Sequence, residues 1–546
     1  MSLRHGGRIL VDQLRMQGVE RVFCIPGESF LAALDGLHDS DIETIVCRQE
    51  GGVTMMADAT ARLTGRPGIA FVTRGPGATN ASAGVHIAFQ DSVPMILFIG
   101  QVASDQKDRE AFQEVDYRQM FGPLAKWVAE IESTDRIPEY VSHAFHVASS
   151  GRPGPVVLAL PEDMLSASAD IADAPPAMVP GNGLSQQAAQ QIHEALQKSE
   201  KPLIIAGGGG WSAEAATDIA RLAEQTGVPV ATSFRCQDYM DNSHGHYVGD
   251  VGIGINPDLA DHIRASDCLL VIGARLGEMT TSGYTLLSIP KPAQSLIHIY
   301  PDADELGRVY RPDMGFVAGS AEALSALAAF ENERLARPRQ VTVDLRTSYE
   351  DWQVLEETPG ALKLEQVISH LRDILPEDAI ITNGAGNFAG WLHRYYRFRR
   401  YRTQLAPTSG SMGFGLPASV AAKLQYPDRT VICYAGDGDF QMHCQEFGTA
   451  CQYGANIVVL ISNNGLYGTI RMHQEKHYPG RVSGTRLVNP DFAKWAESYG
   501  GYGESVTRNA DFPAALERAI NAGRPAVLDL HIDPRALATR MVLNDA

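Results

Sequence analysis

Short β-branched runs alternate with helical patterns from one end of the chain to the other, and no other feature restricts its fold as much. A strand, a helix and a second strand pack most readily as a right-handed parallel crossover, so the alternation predicts parallel sheets with helices on both faces. The expected strands are 22–25, 44–47, 69–73, 95–100 and 156–160 in the first third, and 203–206, 228–232, 268–272 and 296–299 in the middle. The last third offers 379–382, 430–435, 456–462 and 526–531. A Pro-, Ala- and Ser-rich stretch at 166–183 reads as a linker, and a polar, weakly patterned stretch runs from about 331 to 360. A chain of 546 residues is too long for one hydrophobic core. The expected fold is α/β: three consecutive parallel-sheet domains at 1–165, 184–335 and 360–546.

Composition narrows the function classes. Forty-six basic residues against 64 acidic ones leave a net charge of −18, which argues against non-specific binding to nucleic acid or to an anionic membrane. The run at 394–402 does interleave arginines with aromatics as nucleic-acid binders do, but it sits in an acidic chain. No apolar run approaches the ~18 residues that would span a bilayer. The first fifteen residues carry charges and lack an apolar stretch of the secretory kind. Cys24, Cys47, Cys236, Cys268, Cys433, Cys444 and Cys451 are dispersed without a CxxC pair, the pattern of reduced thiols. A cytoplasmic location is expected.

The last domain carries the sharpest chemical signal. The strand at 430–435 runs into Gly436-Asp437-Gly438, and the next strand, 456–462, ends in Asn463-Asn464-Gly465. Open parallel sheets bind ligands at the carboxyl ends of their strands. Two neighbouring strand ends would therefore present a carboxylate and an amide oxygen 27 positions apart in sequence. Both are hard oxygen donors suited to Mg²⁺ or Ca²⁺. Gly436 and Gly438 would let backbone approach a bulky anion, and the helical pattern at 441–452 would supply an N-terminus favourable to phosphate. Asp-Gly alone is common in turns; the second strand-end pair gives the motif its specificity.

This arrangement resembles the cofactor motif of thiamine-diphosphate enzymes, and other segments extend the resemblance over almost the whole chain. Arg48-Gln49-Glu50-Gly51-Gly52, Gly75-Pro76-Gly77, Asp91-Ser92-Val93-Pro94 and the run 151–161 are similar to acetolactate synthases of the large catalytic subunit type, as is Thr408-Ser409-Gly410-Ser411-Met412-Gly413. The resemblance implies thiamine diphosphate, with Mg²⁺ held by Asp437, Asn464 and the backbone carbonyl of Leu466 and bridging the two phosphates. It implies that Glu50 hydrogen-bonds the pyrimidine and stabilises its imino tautomer, through which the thiazolium C2 proton is removed. Gly410 would offer its carbonyl to the pyrimidine amino group. Met412, 25 residues before Asp437, would wedge beneath the bent cofactor. Phe112, 62 residues after Glu50, and Gln113 belong to a run that reaches the active site in the synthases. With the activator in the first domain and the diphosphate residues in the third, the resemblance also implies a homodimer or homotetramer with sites between chains.

The substrate side departs from the family. Gln49 precedes Glu50 where many synthases have His, and Glu162 stands where they carry a Lys bordering the substrate channel. Met279 replaces an Arg of the flavin region, and His473 replaces a Trp of the acceptor pocket, where it could bind a polar substrate or relay protons. Gly207 to Gly210 follow an expected strand and Asp302 lies past another, a pattern that could meet a pyrophosphate and a ribose. The family's middle domain binds FAD in some members and ADP or nothing in others.

The reaction expected is carbon–carbon bond formation or cleavage on 2-oxo acids, by a carboligase that joins the decarboxylated unit to a second 2-oxo acid or an aldehyde. A decarboxylase or acyloin/2-hydroxyacyl lyase would share every cofactor residue and differ at the acceptor pocket. An inactive cofactor-binding subunit fits poorly, because Glu50 serves chemistry and not phosphate binding. Loss of two cations and an aromatic wall on the acceptor side makes a second anionic 2-oxo acid a poorer acceptor than an aldehyde.

Overall fold

A computed structural model describes residues 3–329 and 339–544. They form three six-stranded sheets, parallel throughout. The first contains β1 (Arg21–Cys24), β2 (Glu43–Val46), β3 (Gly68–Val72), β4 (Met95–Gln101), β5 (Trp127–Glu130) and β6 (Pro155–Pro161), in spatial order β2-β1-β3-β4-β6-β5. The middle sheet contains β7 (Pro202–Ala206), β8 (Val230–Ser233), β9 (Tyr247–Val251), β10 (Cys268–Ile272), β11 (Ser295–Tyr300) and β12 (Met314–Val317), in order β9-β8-β7-β10-β11-β12. The last contains β13 (Ile380–Asn383), β14 (Gln404–Leu405), β15 (Val431–Gly436), β16 (Val458–Asn463), β17 (Tyr502–Val506) and β18 (Ala526–His531), in order β14-β13-β15-β16-β18-β17. The outer two sheets thus share one winding, and the middle one has the order of dinucleotide-binding sheets.

Central strands are apolar along their whole length because helices cover both faces. Gly68–Val72, Cys268–Ile272 and Pro155–Pro161 are buried at every position. The five strands of these three sheets absent from the sequence-based expectation, β5, β9, β12, β14 and β17, all lie at sheet edges. Four of them are short or only partly covered, and β14 is just Gln404–Leu405. β9 is mostly buried, but Gly249 and Asp250 interrupt its apolar run.

The chain forms two compact units. One comprises Met1–Pro180, Leu416–Pro427 and His443–Ala455; the other comprises Gly181–Gly415, Asp428–Met442 and Asn456–Ala546. Two segments from the last third therefore complete the first unit. There the Tyr453 hydroxyl accepts from the Val46 N–H at 2.8 Å, and Arg21 donates to the Leu424 carbonyl at 3.1 Å.

Residues 170–185 contain no helix or strand. The polar stretch from 331 to 360 is more ordered than its composition suggests. Its part at 331–338 lies outside the described residues, but Gln340–Trp352 is a helix that buries Thr342, Leu345 and Tyr349, spaced as one helical stripe. The expected helix at 441–452 is only a 3₁₀ turn at Cys444–Glu446 and a short helix Phe447–Gln452, and a separate short helix, Asp437–Phe440, precedes it. All seven cysteines are free thiols. Among the described residues no helix is long and apolar enough to cross a membrane.

Candidate active site

In the third sheet the winding reverses between β13 and β15, and the loops at that switch point are built from glycine and acid. Asp437 follows β15 and is 2% exposed. Its Oδ1 accepts from the Gly438 N–H at 2.9 Å, and its Oδ2 accepts from the Gly465 N–H and from Asn489 Nδ2, both at 2.7 Å. Burial pushes its pKa upward against these hydrogen bonds. No Lys or Arg pairs with it among the described residues. Asn464 sits at the end of the neighbouring strand, its Oδ1 accepting from the Leu466 N–H at 3.0 Å. The loop is pinned from outside, since Leu487 donates to the Gly465 carbonyl at 2.7 Å and Tyr467 to the Thr485 carbonyl at 2.8 Å.

One carboxylate, one amide oxygen and a main-chain carbonyl on abutting strand ends form a donor set for a hard divalent cation. Among the described residues no cluster of three His, Cys, Asp or Glu side chains forms. An ion here would draw its remaining oxygens from a ligand.

Two residues the sequence did not flag hold this centre. Asn489 joins Asp437 to Asn463, donating to Asn463 Oδ1 at 2.9 Å, and Asn463 in turn donates to Asp529 at 2.9 Å. Its only sequence signal is a turn-like Asn-Pro-Asp. Asp439, 3% exposed with its carboxyl pushed up to about 7 by burial, accepts from the Ala385 N–H at 3.1 Å and the Gly413 N–H at 2.8 Å. It thereby ties the switch-point loop to the segment carrying Met412.

Two of the glycines also make room within the protein. A Cβ on Gly436 would come within 2.8 Å of the Phe388 ring, and one on Gly438 within 2.6 Å of the Tyr467 ring. They admit the protein's own aromatics. Gly410 is exposed in the left-handed region at φ +69°, and Met412 is half-buried beside it. His473 is exposed on the helix Gly468–His477, its ring stacked on His477 with centroids 6.2 Å apart.

The carboxyl edge of the first sheet is charged instead. Glu50 opens the helix Glu50–Thr64 just past β2, and its Oε2 accepts from Asn80 Nδ2 at 3.0 Å. A Cβ on Gly77 would stand 2.8 Å from Thr73 Cγ2, so this glycine lets its helix pack close to Thr73. Past β3, Arg74 is buried, ion-paired to Glu162 and, at 3.5 Å, to Glu28, and donates to the Phe112 carbonyl at 3.2 Å. Phe112 itself is 72% exposed. Its loop is strained, with Asp108, Glu110 and Gln113 at positive φ, and is braced by the Glu114 carboxylate, which accepts from the Asp108 and Ala111 N–H groups at 2.7 and 2.9 Å.

Glu50, Phe112 and Gln113 thus lie in the first unit. Gly410, Met412, Gly436, Asp437, Gly438, Asn464, Leu466 and His473 lie in the second.

In the middle sheet's glycine run, Gly207 and Gly208 are closely packed. A Cβ on Gly208 would fall 1.8 Å from the Gly273 carbonyl oxygen. Trp211 donates to the Gly207 carbonyl at 2.8 Å, Tyr239 to Gly208 at 2.5 Å and Ser320 to Gly209 at 3.2 Å. Asp302 forms a local turn, accepting from the Asp304 N–H at 3.0 Å. The run at 394–402 is spent internally: Arg394 pairs with Glu356 over the Trp352 ring, Arg397 pairs with Glu350, and Tyr395 and Phe398 are buried.

Three family models cover the chain in order: the thiamine pyrophosphate enzyme N-terminal TPP binding domain at residues 4–120, the central domain at 189–327 and the C-terminal TPP binding domain at 384–530. The chain belongs to the thiamine pyrophosphate enzymes. Its relatives include the acetolactate synthase large subunit of Haemophilus influenzae, 31% identical over 98% of this chain and 95% of that one. The acetolactate synthase isozyme 2 large subunit of Escherichia coli K12 is 30% identical over 97% and 96%. A probable acetolactate synthase large subunit of Methanocaldococcus jannaschii is 32% identical over 97% and 92%. Within the family the chain is an acetolactate-synthase-like, thiamine-diphosphate-dependent enzyme of carbon–carbon bond formation.

Proposed function

We propose that this enzyme takes a small 2-oxo acid as donor and prefers a neutral carbonyl, such as an aldehyde, over a second 2-oxo acid as acceptor. One observation carries the preference: the cluster of Arg74, Glu162 and Glu28 beside Phe112. The sequence suggested that Glu162 costs the acceptor side a cation. Arg74 supplies one in the same place, but two carboxylates share its guanidinium and leave the cluster with a net negative charge. An incoming carboxylate would have to displace Glu162 from Arg74 while facing Glu28. An aldehyde meets no such opposition.

In this reading Asp437, Asn464 and the Leu466 carbonyl would hold Mg²⁺, and through it the diphosphate of the cofactor. Thiamine diphosphate, when bound, would supply a nucleophilic carbon. Glu50 would hydrogen-bond the pyrimidine of the cofactor, and Asn80 orients the Glu50 carboxyl. Asp439 keeps Gly413, and with it Met412, in place. Phe112 and Gln113 face the substrate on their braced loop, with His473 on the acceptor side. A homodimer with sites formed between chains accompanies the assignment, on the strength of the family resemblance.

The test compares acetolactate made from pyruvate alone with the products made when aldehydes are added, identified by mass. Cross-products should dominate. Glu162→Gln should release Arg74 and raise the share of homocoupled product about 3- to 10-fold, the scale of one charge contact on a partly exposed site. Efficient homocoupling by the wild type would return acceptor choice to the ordinary synthase pattern.

A further inference from the structure

A buried carboxylate with no part in the chemistry above lies behind Glu50. Glu446 closes the 3₁₀ turn Cys444–Glu446 and is wholly buried. Its Oε1 accepts from the Arg48 N–H at 3.0 Å and the Gln49 N–H at 2.9 Å; its Oε2 accepts from the Thr449 hydroxyl at 2.7 Å. No ion pair engages it among the described residues. The two amides belong to the residues directly before Glu50, ahead of the helix that starts there. Gln49 covers the next two, its Oε1 accepting from the Gly51 and Gly52 N–H groups. All four main-chain donors flanking Glu50 in sequence are therefore held by two side chains.

The paired glycines after Glu50 make room for this. A Cβ on Gly52 would stand 2.4 Å from Glu446 Oε1, and one on Gly51 would stand 2.7 Å from Gln49 Oε1 and 2.8 Å from His443 Nε2. Glycine in a first helical turn has a conformational cost. Here it is what lets a carboxylate 398 positions along the chain from Arg48 lie against the turn.

We propose that Glu446 is the positioning residue for Glu50: it fixes the backbone from which the activating carboxylate projects and so sets where that carboxylate meets the pyrimidine. The proposal rests on the assignment of Glu50 above. A carboxylate is suited to the task because it accepts several N–H donors at once and has no donor of its own to mismatch. Burial raises the Glu446 pKa while the amide donors lower it. A glutamine with its oxygen toward Arg48 and Gln49 would keep both backbone hydrogen bonds, and its amide N–H could donate to the Thr449 hydroxyl. An alanine keeps none.

The experiment uses full-length protein in two states. Without cofactor, amide hydrogen exchange of the peptide spanning Arg48–Gly52 is read by mass spectrometry. With saturating thiamine diphosphate and Mg²⁺, exchange of the cofactor's C2 proton is read by NMR. Glu446→Ala should lose protection in that peptide and slow C2 exchange about 10- to 100-fold, as expected when a reacting group is displaced by about 1 Å. Glu446→Gln should restore both to within about 3-fold, since it makes the same backbone hydrogen bonds. Wild-type C2 exchange in Glu446→Ala, or equal slowing in Ala and Gln, would overturn the proposal. If Glu446→Ala does not fold, Glu446→Asp, one methylene short of the amides, replaces it with the same expectation and the same refutation. Glu50→Gln runs alongside. Wild-type exchange there brings down the assignment of Glu50, whereas slow exchange there with normal exchange in Glu446→Ala brings down only the positioning role.

Discussion

The first and third sheets wind identically, yet their carboxyl edges have opposite characters. The third presents glycine turns, amides and two almost wholly buried aspartates, Asp437 and Asp439. The first presents a half-buried Glu50, an exposed Phe112 and the Arg74 cluster with Glu28 and Glu162. The winding places ligand chemistry at those edges in both cases. What the edge then does depends on its loops. In the reading proposed above, the backbone donors and small residues of the third sheet would hold a diphosphate and its metal, whereas the carboxyl and the charged, partly open surface of the first would serve activation and choice of substrate.

That division can be broken most directly at Asp437. Asp437→Ala should abolish cofactor retention, removing the rise in melting temperature that thiamine diphosphate and Mg²⁺ give the wild type. A wild-type rise in the mutant would take the binding role away from the third sheet.

Glu50→Gln should show the reverse. Cofactor affinity stays near the wild-type value while C2-proton exchange slows ~10²–10⁴-fold, the range for loss of a general acid–base group. If affinity collapses instead, the first sheet's edge binds as well as acts, and the contrast fails.

Asn489→Ala sharpens the binding side. Asn489 touches the Asp437 carboxylate at 2.7 Å and is not itself among the proposed ligands. Its loss should weaken Mg²⁺-dependent cofactor binding ~10–100-fold by titration calorimetry, as outer-shell partners of metal sites do. No change would mean that the amides of Gly438 and Gly465 suffice to orient Asp437.

The smallest effect concerns the buried framework beneath the third sheet. His393 meets Gln237 Oε1 at 2.8 Å, and burial, aided by nearby Arg235, pushes its pKa from 6.5 down to about 3. Below pH 6.5 the unfolded chain takes up a proton here that the folded chain refuses, so stability is lost as pH falls toward 3. His393→Leu removes this term. Whatever its cost at neutral pH, the melting temperature of the variant relative to the wild type should rise by a few degrees between pH 7 and pH 5. A constant difference would show that His393 titrates alike in the folded and unfolded chain.

Most of the fold was legible in the sequence because central parallel strands are apolar throughout and announce themselves as β-branched runs. Edge strands such as Met314–Val317, with alternating exposure, and the two-residue Gln404–Leu405 carry no such signal. Their pairing comes from the neighbouring strand. The helix Gln340–Trp352 escaped notice for a related reason: its buried stripe is only Thr342, Leu345 and Tyr349 in an otherwise polar segment.

The site divides in the same way. Asp437, Asn464 and Glu50 were readable because strand-end position and local motif together specify what they can do, and local motif is a property of sequence alone. Asn489, Asp439, Arg74 and Glu446 were not, since each acts on residues far away in sequence: Asn489 on Asp437, Asp439 on Gly413, Arg74 on Glu162 and Glu446 on Gln49. The sequence by itself determined the three α/β domains, the cofactor class and the positions of the chemical groups, because short-range periodicity and strand-end motifs encode those. Only the tertiary structure decided that Glu162 is matched by Arg74, that Gly436 and Gly438 make room for aromatics, and that Glu446 lies behind Glu50. Hydrogen bonds and ion pairs act over about 3 Å, and which distant residues come that close is decided by the packed chain.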